Sequence, residues 1–408
     1  MKEFPKGFLW GAATSAFQVE GGLENMDWAK AASEGKVPRI GRACDHYHLY
    51  EKDFDLAKSL GHNCHRLSIE WSRIEPEEGK FDEKEINHYR EVLKALHARN
   101  LVPFVTLWHF TLPLWFSETG GFERKDSPEI FARYAAFVTL RLSDLCNNFS
   151  TINEALPFTS NGWRRGTWPP FKKWPLIDFF AGRPSYSNAK EIIVQGKWKN
   201  IFAYFNVLKS LSQSHNAAYD AMKKVNPNID VGIVTHILLF HANANPINKL
   251  FAWIMNWHFN HHFMGHVYKK CDSIGLNYYL HKKFGDTRTY EKTDMGWDVY
   301  PEGISDALLM LKRYKLPIYV SEAGVADATD KMRASYIRTL VEHVHIAIQK
   351  NVDVRGFMYW SLLDNYELAE GYTKRFGLIE INYETLERTV RPSAFEYKKI
   401  CDANALEM

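Results

Sequence analysis

The run Ser150-Thr151-Ile152-Asn153-Glu154 decides how this chain folds. Its β-branched and apolar residues read as a short buried strand, and a glutamate closes it. The run Ile318-Tyr319-Val320-Ser321-Glu322 repeats that design later in the chain. A carboxylate at a strand tip is costly to bury unless it is paired or used. A lone glutamate after a strand is more often a helix cap or a surface partner. Two of them, on two strands of one barrel, fit a pair of working carboxylates, and that arrangement suits glycoside hydrolysis.

Similar strand-like runs lie on either side of these two. They cover residues 8–13, 63–69, 101–107, 148–153, 230–235, 273–278, 317–321 and 356–360. Helical periodicity fills the gaps, over residues 83–99, 128–146, 202–225, 249–267, 303–314 and 331–350, and residues 53–60 read as the end of another helix. Strand–helix alternation predicts a parallel sheet with helices packed outside it. Eight strands close such a sheet into a (β/α)8 barrel. No linker, internal repeat or low-complexity tract divides the chain, so residues 1–408 read as a single barrel domain. One stretch breaks the alternation, at about residues 164–200. It is basic and aromatic, with Trp168, Phe171, Trp174, Phe179, Phe180, Tyr186 and Trp198, and Pro169, Pro170, Pro175 and Pro184 interrupt any long helix. Because it follows the Glu154 strand, it reads as an irregular loop that shapes the active-site mouth. It shows no clean amphipathic period of the kind a membrane-surface helix carries.

Composition narrows the function. The formal net charge is +3, too small to argue for nucleic acid as a partner. Aromatic residues reach 14%, which suits both a large core and a site that stacks rings on sugar faces. The five cysteines form no C-x-x-C pair, so neither a disulfide framework nor a zinc site is expected. His258, His261, His262 and His266 share one helical face, but no carboxylate or cysteine pattern completes a ligand set. They read as a polar face near the barrel rim, and no metal is expected. The start Met1-Lys2-Glu3-Phe4-Pro5-Lys6 lacks the apolar core of a signal peptide, and no apolar run approaches a membrane span. A cytoplasmic protein without a membrane partner is the expectation. Its oligomeric state is not written in the sequence.

The run from Phe8 to Gly21, Phe-Leu-Trp-Gly-Ala-Ala-Thr-Ser-Ala-Phe-Gln-Val-Glu-Gly, resembles the N-terminal signature of glycoside hydrolase family 1, the β-glucosidases and β-glycosidases. The resemblance continues along the chain. It is carried by Arg66-Leu67-Ser68-Ile69-Glu70-Trp71-Ser72-Arg73-Ile74, by Thr106-Leu107-Trp108-His109-Phe110 and by Thr151-Ile152-Asn153-Glu154. Further on, Gly275-Leu276-Asn277-Tyr278-Tyr279 and Ser321-Glu322-Ala323-Gly324 match strands six and seven. Two last runs, Tyr359 to Glu367 and Glu370 to Leu378, match the eighth strand and its loop.

The resemblance implies roles. Glu322 would be the nucleophile and Glu154 the general acid/base, with their carboxyl groups about 5–5.5 Å apart as in retaining glycosidases. Arg66 would keep Glu322 ionised, and Tyr279 would donate a hydrogen bond to it. Glu154 would carry a proton before attack, so its pKa should stand above the ordinary value of about 4.3. Asn153 would bind the sugar 2-hydroxyl, and Gln18, His109 and Glu367 the other hydroxyls. Trp360 would form the platform under the ring, and Asn277 and Phe376 complete the sugar-binding set. A carboxylate at Glu367 would repel a 6-phosphosugar. The implied partner is a small-molecule β-glycoside, mainly a β-D-glucoside and also β-D-galactosides or β-D-fucosides. No cofactor is implied, because two carboxylates carry the chemistry. The same residues would serve a transglycosylase, or a sugar-binding barrel with little turnover.

Four positions depart from the family pattern. Ala155 replaces a proline after Glu154, and Ala323 replaces an asparagine after Glu322, where side-chain bonds would steady a turn. Leu368 and Phe110 replace tryptophans after Glu367 and His109, which removes two N–H donors.

Overall fold

The structure is a computed structural model that describes residues 1–174, 197, 199–285 and 288–407. Eight parallel strands close into a barrel: β1 (Leu9–Ala13), β2 (Cys64–Ser68), β3 (Val102–Trp108), β4 (Asn148–Asn153), β5 (Asp230–His236), β6 (Ile274–Tyr278), β7 (Ile318–Ala323) and β8 (Val354–Trp360). Each strand pairs with its sequence neighbours, and β8 closes on β1 through Gly356 to Trp360 against Leu9 to Ala13. The principal outer helices follow in turn: α1 (His46–Ser59), α2 (Glu83–Ala98), α3 (Ser127–Leu142), α4 (Lys199–Val225), α5 (Pro246–Asn256), α6 (Ile304–Leu311), α7 (Arg333–Gln349) and α8 (Pro392–Ala403). The expected (β/α)8 barrel is therefore the fold.

Most strands are β-branched and all are largely buried on both faces; β1 and β2 carry no β-branched residue. In β7, Ile318, Val320 and Ala323 are fully buried, as parallel strands under helices must be. Helices begin where a polar residue can take up free backbone N–H groups. Asp82 caps α2 by accepting from the Lys84 and Glu85 amides at 2.8 and 3.2 Å, and a proline opens α5 and α8.

The lower barrel is plugged by Cys64, Phe104 and Met358, with Leu9 and Tyr319 packed against them. The rings of Phe104 and Tyr319 lie 5.0 Å apart, although their strands are not neighbours. Their contact therefore crosses the interior, which is a packed core below and leaves only the C-terminal mouth for chemistry.

Two boundaries differ from the sequence reading in a way that matters. Strand β7 runs on through Glu322 to Ala323, which pairs with Tyr278 and Tyr359. Ala323 therefore sits in a ladder, not in a turn that a side chain must steady. The turn comes one residue later. A Cβ on Gly324 would meet the Trp360 carbonyl oxygen at 1.9 Å, so only glycine lets the ends of β7 and β8 approach. The pattern read over residues 249–267 begins earlier, at Pro246, and passes through a π-helical turn, Trp257–His262, before Phe263–Val267.

Candidate active site

Both glutamate strands lose regular register just before their carboxylates. The β4–β5 ladder shifts between Ser150 and Asn153, and β7 shifts against β6 between Val320 and Glu322. Such irregularities re-aim side chains at strand ends. Glu154 leaves β4 in the left-handed region, with φ 46° and ψ 66°, and its amide donates to the Val234 carbonyl of β5 at 3.0 Å. A short helix, Ala155–Thr159, starts at the next residue, so Ala155 is a buried helix start.

Arg66 of β2 reaches across the mouth to β7, which is not its neighbour, and its Nη1 pairs with Glu322 Oε1. The same guanidinium donates through Nη2 to Asn153 Oδ1 at 2.8 Å and through Nε to Thr106 Oγ1 at 3.1 Å. Three strands are thus tied to one buried cation. Tyr279 donates its hydroxyl to the other Glu322 oxygen at 2.8 Å. Glu322 is buried, and it accepts from a guanidinium and a phenol.

Glu154 has a different environment. It is 8% exposed, and Asn277 Nδ2 donates to its Oε1 at 2.7 Å. Burial, then the nearby charge of Glu322, push it up to about 8; the Asn277 bond and Arg66 oppose this. Ser321 Oγ donates to Asn277 Oδ1 at 2.7 Å and so fixes which end of that amide faces Glu154.

The expected sugar-binding residues come together around this pair. Asn153 Nδ2 lies 3.2 Å from His109 Nε2, and the His109 ring is nearly parallel to Trp360, 18° off with centroids 6.0 Å apart. Burial and Arg66 hold His109 well below the usual histidine range, so it is neutral there. Gln18 accepts from Ser15 at 2.7 Å and donates to Asn365 Oδ1 and the Tyr366 carbonyl at 3.0 and 2.9 Å. Trp360 and Phe376 pack with Ala13 and Ala326, and Tyr279, Met295 and Trp297 line the same apolar wall. Burial, then Glu322 and Glu370, raise Glu367 to about 8. It is therefore protonated in the free site, which weakens the phosphate repulsion expected of an ionised Glu367. Two buried polar atoms, Glu367 Oε2 and His109 Nδ1, have no hydrogen-bond partner. Orphaned polar atoms at a mouth are what hydroxyls of a bound ligand would satisfy.

The matched family pattern is described as "Glycosyl hydrolase family 1", and it covers residues 1–272 and 257–406. The chain belongs to glycosyl hydrolase family 1. This family 1 hydrolase is 28% identical to β-glucosidase A of Acetivibrio thermocellus, over 98% of both chains. It is 30% identical to a 1,4-β-D-glucan glucohydrolase of Thermotoga neapolitana, over 100% of both. Its fold superposes on a β-glycosidase from Pyrococcus horikoshii with a TM-score of 0.88 at 34% identity, covering 100% of this chain and 96% of that one.

Some of the family 1 site was not assigned from sequence. Thr106 and Ser321 lie inside quoted motifs, but nothing in one dimension shows that they orient Arg66 and Asn277. Met295 and Trp297 lie between β6 and β7 in irregular chain with no motif. The irregular loop is described only in part. Trp168 packs against Phe110 and Trp28, with ring centroids at 4.9 and 5.7 Å, which brings the loop to the mouth. Phe179, Phe180, Tyr186 and Trp198 lie outside the described residues. The helix histidines have other company: His258 contacts the Tyr204 hydroxyl at 2.9 Å and His261 the Tyr314 hydroxyl at 3.2 Å. Among the described residues no three His, Cys, Asp or Glu side chains gather as a metal site.

Proposed function

We propose that this family 1 hydrolase cleaves terminal β-D-glucosides with retention, and β-D-galactosides and β-D-fucosides as further substrates, with Glu322 as nucleophile and Glu154 as acid/base. The observation that supports the assignment is the asymmetry of the two carboxylates. Glu322 rests on Arg66 and Tyr279 and is poised to attack the anomeric carbon. Glu154, raised to about 8, holds a proton for the departing oxygen. Bond formation at Glu322 removes the negative charge that helps hold that proton. Glu154 then ionises more readily and acts as base toward the water that releases the sugar. Asn153, held by Arg66, would meet the 2-hydroxyl, where bonds strengthen in the transition state. Trp360 would lie under the ring. None of the four departures touches this set of contacts, so no observation favours a sugar-binding barrel without turnover.

The test is hydrolysis of a nitrophenyl β-glucoside, with the first-formed sugar followed by proton NMR. Release of the β-anomer before mutarotation is expected. First release of the α-anomer, or no turnover by folded protein, overturns the reading.

A further inference from the structure

Helix α5 leaves an apolar stripe uncovered on its outer side. Ile247, Leu250, Trp253 and Ile254 are 63, 54, 66 and 41% exposed, and Trp257, one turn later, is 50% exposed. At roughly 100° per residue these positions form one stripe about 120° wide. The inward side is mixed: Ala252 is buried, the Phe251 ring lies 6.3 Å from that of Phe284, and two asparagines bond to backbone. Asn256 pairs with both backbone groups of Phe240, at 3.2 and 2.9 Å, and Asn260 does the same for Leu238, at 3.0 and 2.8 Å. An outer helix ordinarily buries its apolar stripe and wets its polar one. Here an apolar stripe also faces outward, and an apolar face of this kind marks an interaction site.

The face extends onto α4. Phe202 and Phe205 in its first turns are 72 and 43% exposed, and the Phe205 ring lies 5.8 Å from that of His258, the neighbour of Trp257.

The charge pattern identifies the partner. No acidic residue occurs from Asn200 to Tyr219 or from Val231 to Cys271. The exposed charges beside the stripe are lysines, Lys199 and Lys209 on α4 and Lys249 on α5, while Asp220 and Lys224 lie at the far end of α4. A twofold contact between two copies would bring these cations together with no carboxylate from either segment to meet them. An anionic lipid surface suits both features. Its headgroups attract lysines, and its boundary layer accepts tryptophan and aliphatic side chains.

We propose that α5 and the start of α4 form a peripheral docking surface for an anionic lipid bilayer. The contact is one of lying on a membrane; among the described residues no helix is long and apolar enough to cross one. The position fits a working orientation. The chain enters α5 from β5 through Leu239–Ala242, which pairs with His281–Phe284 just beyond Tyr279. The surface therefore sits on the rim of the mouth that holds Glu322.

The test is co-sedimentation of the whole protein with mixed phosphatidylcholine–phosphatidylglycerol vesicles at low salt. Binding is expected, with a fall of about tenfold or more for Trp253→Ser/Trp257→Ser and a clear fall for Lys249→Glu. Both variants alter exposed side chains, and the melting temperature and turnover of a soluble aryl glucoside check that each is folded. Wild-type protein that stays in the supernatant overturns the proposal, as does equal binding by the double variant. Equally strong binding to pure phosphatidylcholine overturns the anionic part. A lipid-free dimer in sedimentation equilibrium that the double variant dissolves, without vesicle binding, assigns the face to a second copy instead.

Discussion

Glu70 and Glu154 each lie just past a barrel strand, β2 and β4, and each is buried. Burial raises both, to about 7 and about 8, and it raises Asp27, beside Glu70, to about 8 as well. A raised carboxylate therefore marks burial in this molecule, and by itself says nothing of chemistry. The donors separate the two regions. Glu70 accepts from the Ser72 amide and hydroxyl at 3.1 and 2.9 Å and from the Thr111 hydroxyl at 2.9 Å, as a helix cap does. Asp27 accepts from the Trp28 and Leu112 amides at 2.9 and 3.0 Å. Both are satisfied, mostly by backbone or by near neighbours in sequence. At the mouth the donors come from β2, β6 and the start of the following loop, Glu322 helps to raise both Glu154 and Glu367, and Glu367 Oε2 and His109 Nδ1 stay unpartnered. Glu70 and Asp27 are held by cap-like donors, whereas at the mouth donors from separate strands converge on the acids and one carboxyl oxygen, Glu367 Oε2, is left without a partner.

The strongest test of that contrast is Glu322→Gly. Hydrolysis should be abolished, and formate or azide should restore part of the turnover of activated aryl glycosides, azide giving the α-glycosyl azide. Near-native activity without an anion would remove Glu322 from the chemistry. Glu154→Ala should cost roughly 10²–10⁴-fold on alkyl glucosides, which need a proton on the leaving oxygen. Dinitrophenyl glucoside should still form the glycosyl-enzyme and then stall, which a burst in stopped-flow absorbance would reveal; an equal loss on all leaving groups would indicate structural damage.

Leu368 probes where the mouth ends, because it is buried and follows Glu367. Leu368→Trp should shift the fucoside-to-galactoside ratio of kcat/KM by about tenfold against the fucoside, the value of one hydrogen bond. An unchanged ratio in folded protein would make Leu368 a core residue. The smallest effect belongs to the control region. Glu70→Gln should leave kcat/KM within about twofold, since its bonds end at Ser72 and Thr111. Its signature should appear in stability. A value raised from about 4.3 unfolded gives a contribution that is whole below that pH. That contribution is lost as pH climbs through the folded value of about 7. Melting temperature between those limits should therefore fall less with pH in Glu70→Gln than in wild type, and parallel curves would contradict the burial argument.

All eight strands were legible because each is a short run, β-branched in most, next to helical periodicity, although β1 and β2 contain no β-branched residue. The carboxylate pair was legible because motifs surround it. Glu70 shows the limit: Ile69-Glu70 and Asn153-Glu154 are similar strand endings, and only the fold reveals that one is a cap. Trp297 shows another, since its place beside Tyr279 and Phe376 depends on three separate loops closing over one mouth. Helix α5 shows a third. Periodicity does not tell which side of an apolar helix is covered, and here Phe251, Ala252 and Asn256 turn inward while Trp253 and Ile254 stay outside.

The left-handed backbone at Glu154 has an evolutionary consequence. A side chain in that conformation costs about 1–2 kcal/mol, and glycine would relieve it. The same replacement would also remove a desolvated carboxylate. On the proposed assignment, the change that silences the enzyme is thus one that eases its fold, so thermodynamics alone favours the inert descendant. On that assignment Glu154 persists only while turnover is under selection, and a lineage released from that demand should lose this residue among its first.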